Sequence, residues 1–190
     1  VLAIGMTPIV VNDSRGFYTS RVFSTFVLEG FAMLREGVKP ALIENAAKLA
    51  GMPVGPLDVT DAGSLSLFWH ILQPSHKDLG DAHVTHPGEQ VIEFFVETLD
   101  RPGKKAGKGF YEYPSDGPKR LWPEISAHYP LLNDQPDVEE VKKRFLHVQS
   151  LETIRCFDEG VVTTRQDADV GSVLGWGFPL HTGGTASYVR

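Results

Sequence analysis

The sequence predicts an all-α protein. Apolar residues recur at the three- and four-residue spacing of amphipathic helices along most of the 190 residues. Glycines and prolines interrupt this pattern where helices are expected to begin or end. Only two stretches favour extended structure: Pro8–Val11, typical of the end of a strand, and a small hairpin near residues 109–113. A central multi-stranded sheet is therefore not expected.

The first helix follows a polar turn of Asn12, Asp13 and Ser14, whose side chains can cap it. It is predicted to end near Glu36 and Gly37, because glycine is a common residue just after a helix. Its apolar positions are Val22, Phe23, Phe26, Val27, Phe31 and Leu34.

The second helix is predicted from Pro40 to Gly51, with proline at its first position. Later helices are predicted over residues 57–72, 88–99, 123–129, 137–159 and 165–174, with irregular segments at 74–87 and 101–122. Pro74 is expected to end the third helix, since proline interrupts helical hydrogen bonding.

Composition is that of a globular protein, with 42% hydrophobic and 22% charged residues. The net charge of −6 argues against a nucleic-acid surface. No apolar run approaches the roughly 18 residues that a membrane span needs. The single cysteine, Cys156, excludes an internal disulfide and favours the cytoplasm. The start lacks an initiator Met and the basic region of a signal peptide, so we expect an internal cut from a longer chain.

Glu29 lies on or beside the apolar face of the first helix. A carboxylate there must be paired or hydrogen-bonded, which favours a structural role over that of a catalytic acid. The same position recurs. At a constant offset of 123 residues, Arg21 aligns with Arg144, Glu29 with Glu152, and Glu36-Gly37-Val38 with Glu159-Gly160-Val161. We therefore predict a duplicated helical unit, in which Glu29 and Glu152 each find a donor within their own copy.

Other candidate sites give weak signals. The glycine-rich segment 103–109 carries three lysines that could meet an anion, but no Ser or Thr follows Lys108 as in a phosphate-binding loop. A solvated loop is the simpler interpretation. His83 and His86 resemble metal ligands in spacing alone, without an acidic or cysteine cluster. Cys156 falls within a helical pattern and is expected to be an inert buried thiol. No G-x-G-x-x-G, G-x-S-x-G or H-E-x-x-H motif occurs.

Several motifs in order resemble the C-terminal domain of 3-hydroxyacyl-CoA dehydrogenases, of the type found in the α-subunit of the multifunctional fatty-acid oxidation complex. The motifs are Val11-Asn12-Asp13, Gly16-Phe17, Arg21, Glu29 and Glu36-Gly37, then Gly51-Met52-Pro53-x-Gly55-Pro56-Leu57, Gly107-Lys108-Gly109-Phe110-Tyr111 and Gly177-Phe178-Pro179 with Gly183-Gly184. The resemblance extends from about residue 8 to 190.

This resemblance implies the fold shared with the C-terminal domain of 6-phosphogluconate dehydrogenase, here duplicated. Residues 1–13 would be the tail of a missing Rossmann domain, residues 14–122 the first helical repeat, and residues 123–190 a truncated second repeat. NAD would bind the missing domain. The catalytic His and its partner Glu would lie there too, so this chain would hold no catalytic, cofactor-binding or metal-binding residue of its own.

Ser20 is the one position here to which the resemblance gives a substrate role. The family usually has Asn just before the Arg of the first helix, where it helps to hold the thioester carbonyl of the substrate. A serine hydroxyl can also donate one hydrogen bond, although over a shorter reach. The alternative is that Ser20 caps the first helix.

The implied function is the C-terminal portion of an NAD-dependent 3-hydroxyacyl-CoA dehydrogenase of fatty-acid β-oxidation, forming one wall of the acyl-CoA cleft and a subunit or pseudo-dimer core. The implied partners are the substrate and the N-terminal domain, together with a thiolase subunit and further copies of the chain, and neither nucleic acid nor membrane. Two alternatives stay open: a non-catalytic all-α assembly module, and the helical domain of another hydroxy-acid dehydrogenase.

Overall fold

The computed structural model describes residues 2–80 and 84–189. In chain order its α-helices are α1 (Thr19–Arg35), α2 (Pro40–Ala50), α3 (Pro56–Gly63), α4 (Leu65–Leu79), α5 (Glu89–Glu93), α6 (Ile125–His128), α7 (Val138–Asp158), α8 (Arg165–Trp176) and α9 (Thr185–Tyr188). Strands β1 (Tyr111–Glu112) and β2 (Arg120–Leu121) form an antiparallel hairpin. The predicted all-α class is therefore confirmed.

Helices α1 and α7 form the centre of the fold. Helix α1 buries Phe26, Val27, Phe31 and other apolar residues at helical spacing, and these face α7, α3 and α5. The ring centroids of Phe26 in α1 and Phe145 in α7 lie 5.0 Å apart. Because α7 also packs on α2, one hydrophobic core includes residues from both predicted repeats.

The ends of the first two helices follow from the sequence. Helix α1 ends at Arg35, just before Gly37, which has φ 92°. Helix α2 begins at Pro40 and is closed by Gly51 in the left-handed conformation, with φ 103°. Both glycines accept backbone angles that side chains with a Cβ disfavour. Helices α7 and α8 also lie where the sequence predicts them.

The third predicted helix is wrong in two respects. It is two helices, because Ser64 interrupts it with φ 81°. Helix α4 then continues beyond Pro74, which lies inside it, and ends at Leu79, so the first six residues of the segment 74–87 predicted as irregular are helical. Proline removes one N–H bond and crowds the carbonyl of the preceding turn, but the flanking turns of α4 stay helical around it. His83, within the same segment, lies outside the described residues.

Other boundaries differ more modestly. The fourth predicted helix is α5 followed by a π-helical turn at Phe94–Thr98. The loop 101–122 contains a 3-10 turn at Lys104–Ala106 and the hairpin β1–β2, and the short predicted helix over residues 123–129 shrinks to α6. Further 3-10 turns lie at Leu2–Ile4 and Leu180–Thr182.

The expected strand at Pro8–Val11 is not formed. No residue of this segment belongs to a strand within the described ranges. Its continuation is held instead by Asn12, whose backbone N–H donates to Val161 O at 2.8 Å. β-branched residues favour an extended backbone, but a strand also needs a neighbouring strand to pair with.

Reciprocal contacts relate two parts of the chain that lie 123 residues apart in sequence. Asn12 Nδ2 donates to the carbonyl of Gly160 at 2.7 Å, and Gln135 Nε2 donates to the carbonyl of Gly37 at 3.0 Å. Asn12 and Gln135 lie 123 positions apart in the sequence, and so do Gly37 and Gly160. Such mutual exchange is what a twofold arrangement of duplicated units would produce. The duplication itself stays a prediction.

No helix within residues 2–80 and 84–189 combines the length and apolar character needed to cross a membrane.

Candidate functional site

Ser20 is the second residue of α1, and its side chain is exposed. The N-cap residue of α1 is Tyr18, and no side chain caps this end. The capping role for Ser20 is therefore wrong, as is the expectation that Asn12, Asp13 or Ser14 caps α1. The chain enters the helix through Gly16 and Phe17, both with positive φ, which places the helix start beyond the polar turn.

A cavity of about 360 Å³ opens beside Ser20. Helix α1 supplies one side of it, the turn after α2 supplies a second, and the end of α8 supplies a third. Its lining is predominantly apolar: Thr19, Ser20, Phe23, Phe26, Met52, Pro53, Val54, Val59, Gly175 and Trp176. The size falls at the lower end of the range of small-molecule sites.

A second cleft of about 150 Å³ lies on the other flank of Ser20 and Phe23. It runs between α1 and α4 and is also mostly apolar, with Ser24, Leu28, Phe68, Ile71, Leu72 and Ile92 completing its lining. Ser20 and Phe23 thus form a ridge that both cavities share. The Ser20 hydroxyl is the polar group that a ligand entering either cavity would meet on this ridge.

The electrostatics around Ser20 favour an electron-rich oxygen. The first turn of α1 contains no acidic residue, so the positive end of the helix dipole is not neutralised locally. Among the described residues, no hydrogen bond engages Ser20 Oγ, while the Ser20 carbonyl accepts from Ser24 Oγ at 2.7 Å. The hydroxyl therefore remains available to donate to a ligand carbonyl.

Glu29 and Glu152 lie away from this ridge, in ion pairs between the two predicted repeats. Arg144 Nε donates to Glu29 Oε1 at 2.6 Å, and Arg21 Nε donates to Glu152 Oε1 at 2.5 Å. The prediction that each glutamate finds its donor within its own copy is therefore wrong for these two arginines. Glu152 has in addition a donor from its own copy, Arg155, at 2.9 Å. An arginine reaches across because α1 and α7 pack together with these residues on facing sides.

The same two arginines each hold a second carboxylate. Arg144 forms a bidentate pair with Glu36 at 2.5 and 2.9 Å, and Arg21 forms the equivalent pair with Glu159 at 2.5 and 2.9 Å. The hydrogen bonds from Arg21 lower the pKa of Glu159 below its usual range. These clusters join α1 to α7.

Hydrogen bonds hold the end of the glycine-rich segment 103–109 in one conformation. Asp61 in α3 accepts the backbone N–H groups of Phe110 and Tyr111 at 2.9 and 2.8 Å. A Cβ on Gly109 would overlap the Asp61 carboxylate, so this position requires glycine. From the other side, Arg101 Nε donates to the Gly109 carbonyl at 2.7 Å. Lys108, one of the three candidate anion-binding lysines, pairs with Asp100 at 2.7 Å.

Glu44 and Asp61 are buried carboxyls that are not among the residues predicted from the sequence. Burial raises the pKa of each, although hydrogen bonds from Tyr111 Oη to Glu44 and from backbone N–H groups to both oppose this. Glu44 had a signal in the sequence, since it lies among Ile43, Ala46 and Ala47 on the buried face of α2. Asp61 had none, because its partners lie 49 and 50 residues further along.

Cys156 and His86 both lie in environments set by burial. Cys156 is fully buried, and this burial raises the pKa of its thiol to about 11, so it stays protonated. His86 Nδ1 accepts a hydrogen bond from the Gly88 N–H at 3.1 Å, and burial lowers the pKa of His86. Within the described ranges no three potential metal-ligating side chains cluster.

Residues 16–113, just over half of the chain, match the family model described as "3-hydroxyacyl-CoA dehydrogenase, C-terminal domain". Among solved structures, the chain resembles the dehydrogenase part of multifunctional enzyme 1 from C. elegans (TM-score 0.68, 25% identity, 96% of this chain and 42% of that one). It also shares the fold of 3-hydroxybutyryl-CoA dehydrogenase from Escherichia coli (TM-score 0.67, 19% identity, 93% of this chain and 53% of that one). The chain thus spans about half, or less, of the length of these proteins.

Proposed function

Since this chain belongs to the family of 3-hydroxyacyl-CoA dehydrogenase C-terminal domains, we propose that it forms one wall of an acyl-CoA cleft in an NAD-dependent dehydrogenase of fatty-acid β-oxidation. The observation that carries the proposal is the exposed Ser20 hydroxyl at the border of an apolar cavity. A thioester carbonyl bound at Ser20 would direct its acyl chain into that cavity.

In this proposal Ser20 donates a hydrogen bond to the carbonyl oxygen of the substrate. The reacting group is the 3-hydroxyl and not this carbonyl, so the bond acts by holding the substrate in one orientation. The N-terminal end of α1 adds a favourable field at the same place. The apolar side chains of the cavity, with Phe23 nearest to Ser20 in sequence, exclude water from the acyl group.

NAD is assigned to a separate domain. The paired strands within residues 2–80 and 84–189, β1 and β2, have two residues each. They do not fit a dinucleotide, whose phosphates bind where a parallel strand turns into a helix. When bound to its own domain, NAD would accept the hydride from the 3-carbon of the substrate.

The surface around α4 suits the docking of such a domain. Leu67 and Ile71 on α4 are 53% and 60% exposed. Large exposed apolar side chains favour burial against another domain or subunit. A thiolase subunit, further copies of the chain and a cytoplasmic location belong to the same proposal.

The test is Ser20→Ala in the full-length protein that carries this chain. We expect kcat/KM for 3-hydroxyacyl-CoA to fall about ten- to a hundredfold, the effect of about 1–3 kcal/mol for one hydrogen bond. The melting temperature should be unchanged, because Ser20 makes no capping bond. Thr25→Ala is the matched control, since its hydroxyl lies on the same helix, bonds the Val22 carbonyl at 2.7 Å and lines neither cavity.

Two results would contradict the proposal. One is a full-length protein that binds NAD but oxidises no 3-hydroxyacyl-CoA. The other is an unchanged kcat/KM in Ser20→Ala, which would remove Ser20 from the substrate site and leave the assembly-module alternative in place.

A further inference from the structure

The end of α8 forms part of the cavity beside Ser20, although α8 lies outside the residues 16–113 matched by the family model. Resting on the function proposed above, we infer that Trp176 of α8 determines the length of acyl chain that this cavity accepts. The second predicted repeat would then shape the substrate site of the first.

The Trp176 ring is held in one orientation. Its Nε1 donates to Gln149 Oε1 at 2.8 Å, and Gln149 is fully buried in α7. The Nε2 of Gln149 in turn donates to the Phe145 carbonyl at 2.8 Å. The Tyr18 ring meets Trp176 edge-on at 5.5 Å between centroids. A ring held by a partly buried hydrogen bond and an aromatic contact acts as a fixed wall.

Gln149 also connects the two sides of the cavity. Its Nε2 lies 3.9 Å from the Met52 sulfur, and Met52 lines the cavity from the turn after α2. Phe26, fully buried, shows that the cavity extends to the hydrophobic core. Beyond Trp176 a longer acyl chain would have to displace an ordered side chain.

Volume is therefore the property that Trp176 controls. A smaller side chain at this position would enlarge a cavity of about 360 Å³ that is modest for a ligand site. Each further methylene that a longer substrate buries there should raise kcat/KM for that substrate about fourfold, the effect of about 0.8 kcal/mol.

The experiment measures kcat/KM of the full-length protein for 3-hydroxyacyl-CoA substrates of increasing chain length. Trp176→Leu should raise the ratio of long-chain to short-chain kcat/KM by about fourfold for each added methylene, up to the new limit of the cavity. Trp176→Phe keeps the aromatic contact with Tyr18 and should shift the ratio less. Melting temperatures identify any variant that fails to fold, and Trp176→Phe then decides the question alone.

Two controls separate this cavity from its surroundings. Leu174→Ala changes an exposed residue of the same helix that does not line the cavity, and it should leave the chain-length profile unchanged. Ile71→Ala changes the smaller cleft. If Ile71→Ala shifts the profile and the Trp176 variants do not, the acyl chain occupies that cleft and the inference is wrong.

The outcomes also distinguish the two proposals. A wild-type protein without activity on any chain length overturns the proposed function, and the inference with it. An active protein whose folded Trp176 variants keep the wild-type profile overturns the inference alone.

Discussion

At the scale of single residues, the molecule places carboxyls where backbone N–H groups would otherwise be buried without partners. Glu44 Oε1 accepts from the Leu57 N–H at the start of α3, at 2.7 Å. Asp169 of α8 does the same for Ala186 and Ser187 at the start of α9, at 2.9 and 3.0 Å. Buried helix ends need such acceptors, because their first N–H groups have no partner within the helix.

Glu44 and Asp61 should respond differently to amide substitution. In Glu44→Gln the remaining oxygen can accept from Leu57, while the new amide can donate to Tyr111 Oη, so the cost should be below about 1 kcal/mol. Both oxygens of Asp61 accept backbone N–H groups, so in Asp61→Asn the side-chain NH₂ must face an N–H donor. We expect a loss of about 1–3 kcal/mol, measured by urea unfolding.

The pH dependence provides a second readout of Glu44. Because its pKa is raised on folding, the native state keeps this proton longer than the unfolded state. Its contribution to stability is therefore present at low pH and is lost as pH rises through the raised pKa. Glu44→Gln should flatten this part of the stability curve, and an unchanged curve would contradict the assignment.

Gly109 should tolerate no side chain. A Cβ there would overlap the Asp61 carboxylate and displace the bonds to Phe110 and Tyr111. Gly109→Ala should therefore cost about 1–3 kcal/mol in the free energy of unfolding. Gly63→Ala is the control, because its Cβ would make only an ordinary contact with Phe68 at 3.5 Å. Equal stability of the two variants would rule out this explanation of the glycine.

At the scale of elements, paired arginines join α1 and α7. Glu29 and Glu152 have side chains only 16% and 11% exposed, so each depends on an arginine from the other helix. Removing the cation leaves a largely buried carboxylate without its main donor, which costs more than the pair contributes.

Arg144→Gln should lower the free energy of unfolding by about 1–3 kcal/mol, because Glu29 loses its charged donor. Lys142→Gln is the matched control on the same helix. Lys142 pairs with Glu139, whose side chain is 63% exposed, and such surface pairs contribute about 0–1 kcal/mol. Chemical unfolding of both variants checks the comparison, which fails if the two losses are equal.

At the scale of the whole molecule, the two predicted repeats share one core. Val141, Phe145 and Phe178 from the second belong to the same buried cluster as Phe26 and Leu57 from the first. A glycine of each repeat also lies close to a proline of the other. A Cβ on Gly51 would lie 2.9 Å from Pro179, and one on Gly177 would lie 2.8 Å from Pro53.

This sharing predicts a single cooperative unfolding transition. Far-ultraviolet circular dichroism and tryptophan fluorescence should follow one curve on heating, because neither repeat can bury its apolar face alone. A fragment ending at residue 122 should lack a cooperative transition, since it loses the α7 face that covers Phe26. Two separate transitions, or a stable fragment, would show that the repeats fold independently.

The sequence by itself determined the helical class, the ends of α2 and α7, and the family, because local periodicity, proline and glycine act within a few residues. It also indicated the 123-residue offset, since Arg21 and Arg144 and the two buried-face glutamates stand out in their helices. The break at Ser64 and the continuation of α4 past Pro74 were not predictable, because packing overrode local preference there.

Only the tertiary structure decided which residues meet. The arginine of one helix reaches the glutamates of the other, and Asp61 meets a loop about 50 residues away. The cavity beside Ser20 combines α1, the turn after α2 and the end of α8, which are distant in sequence. Such contacts depend on how whole helices pack, and helix packing is set by the sum of many weak apolar contacts that no local pattern specifies.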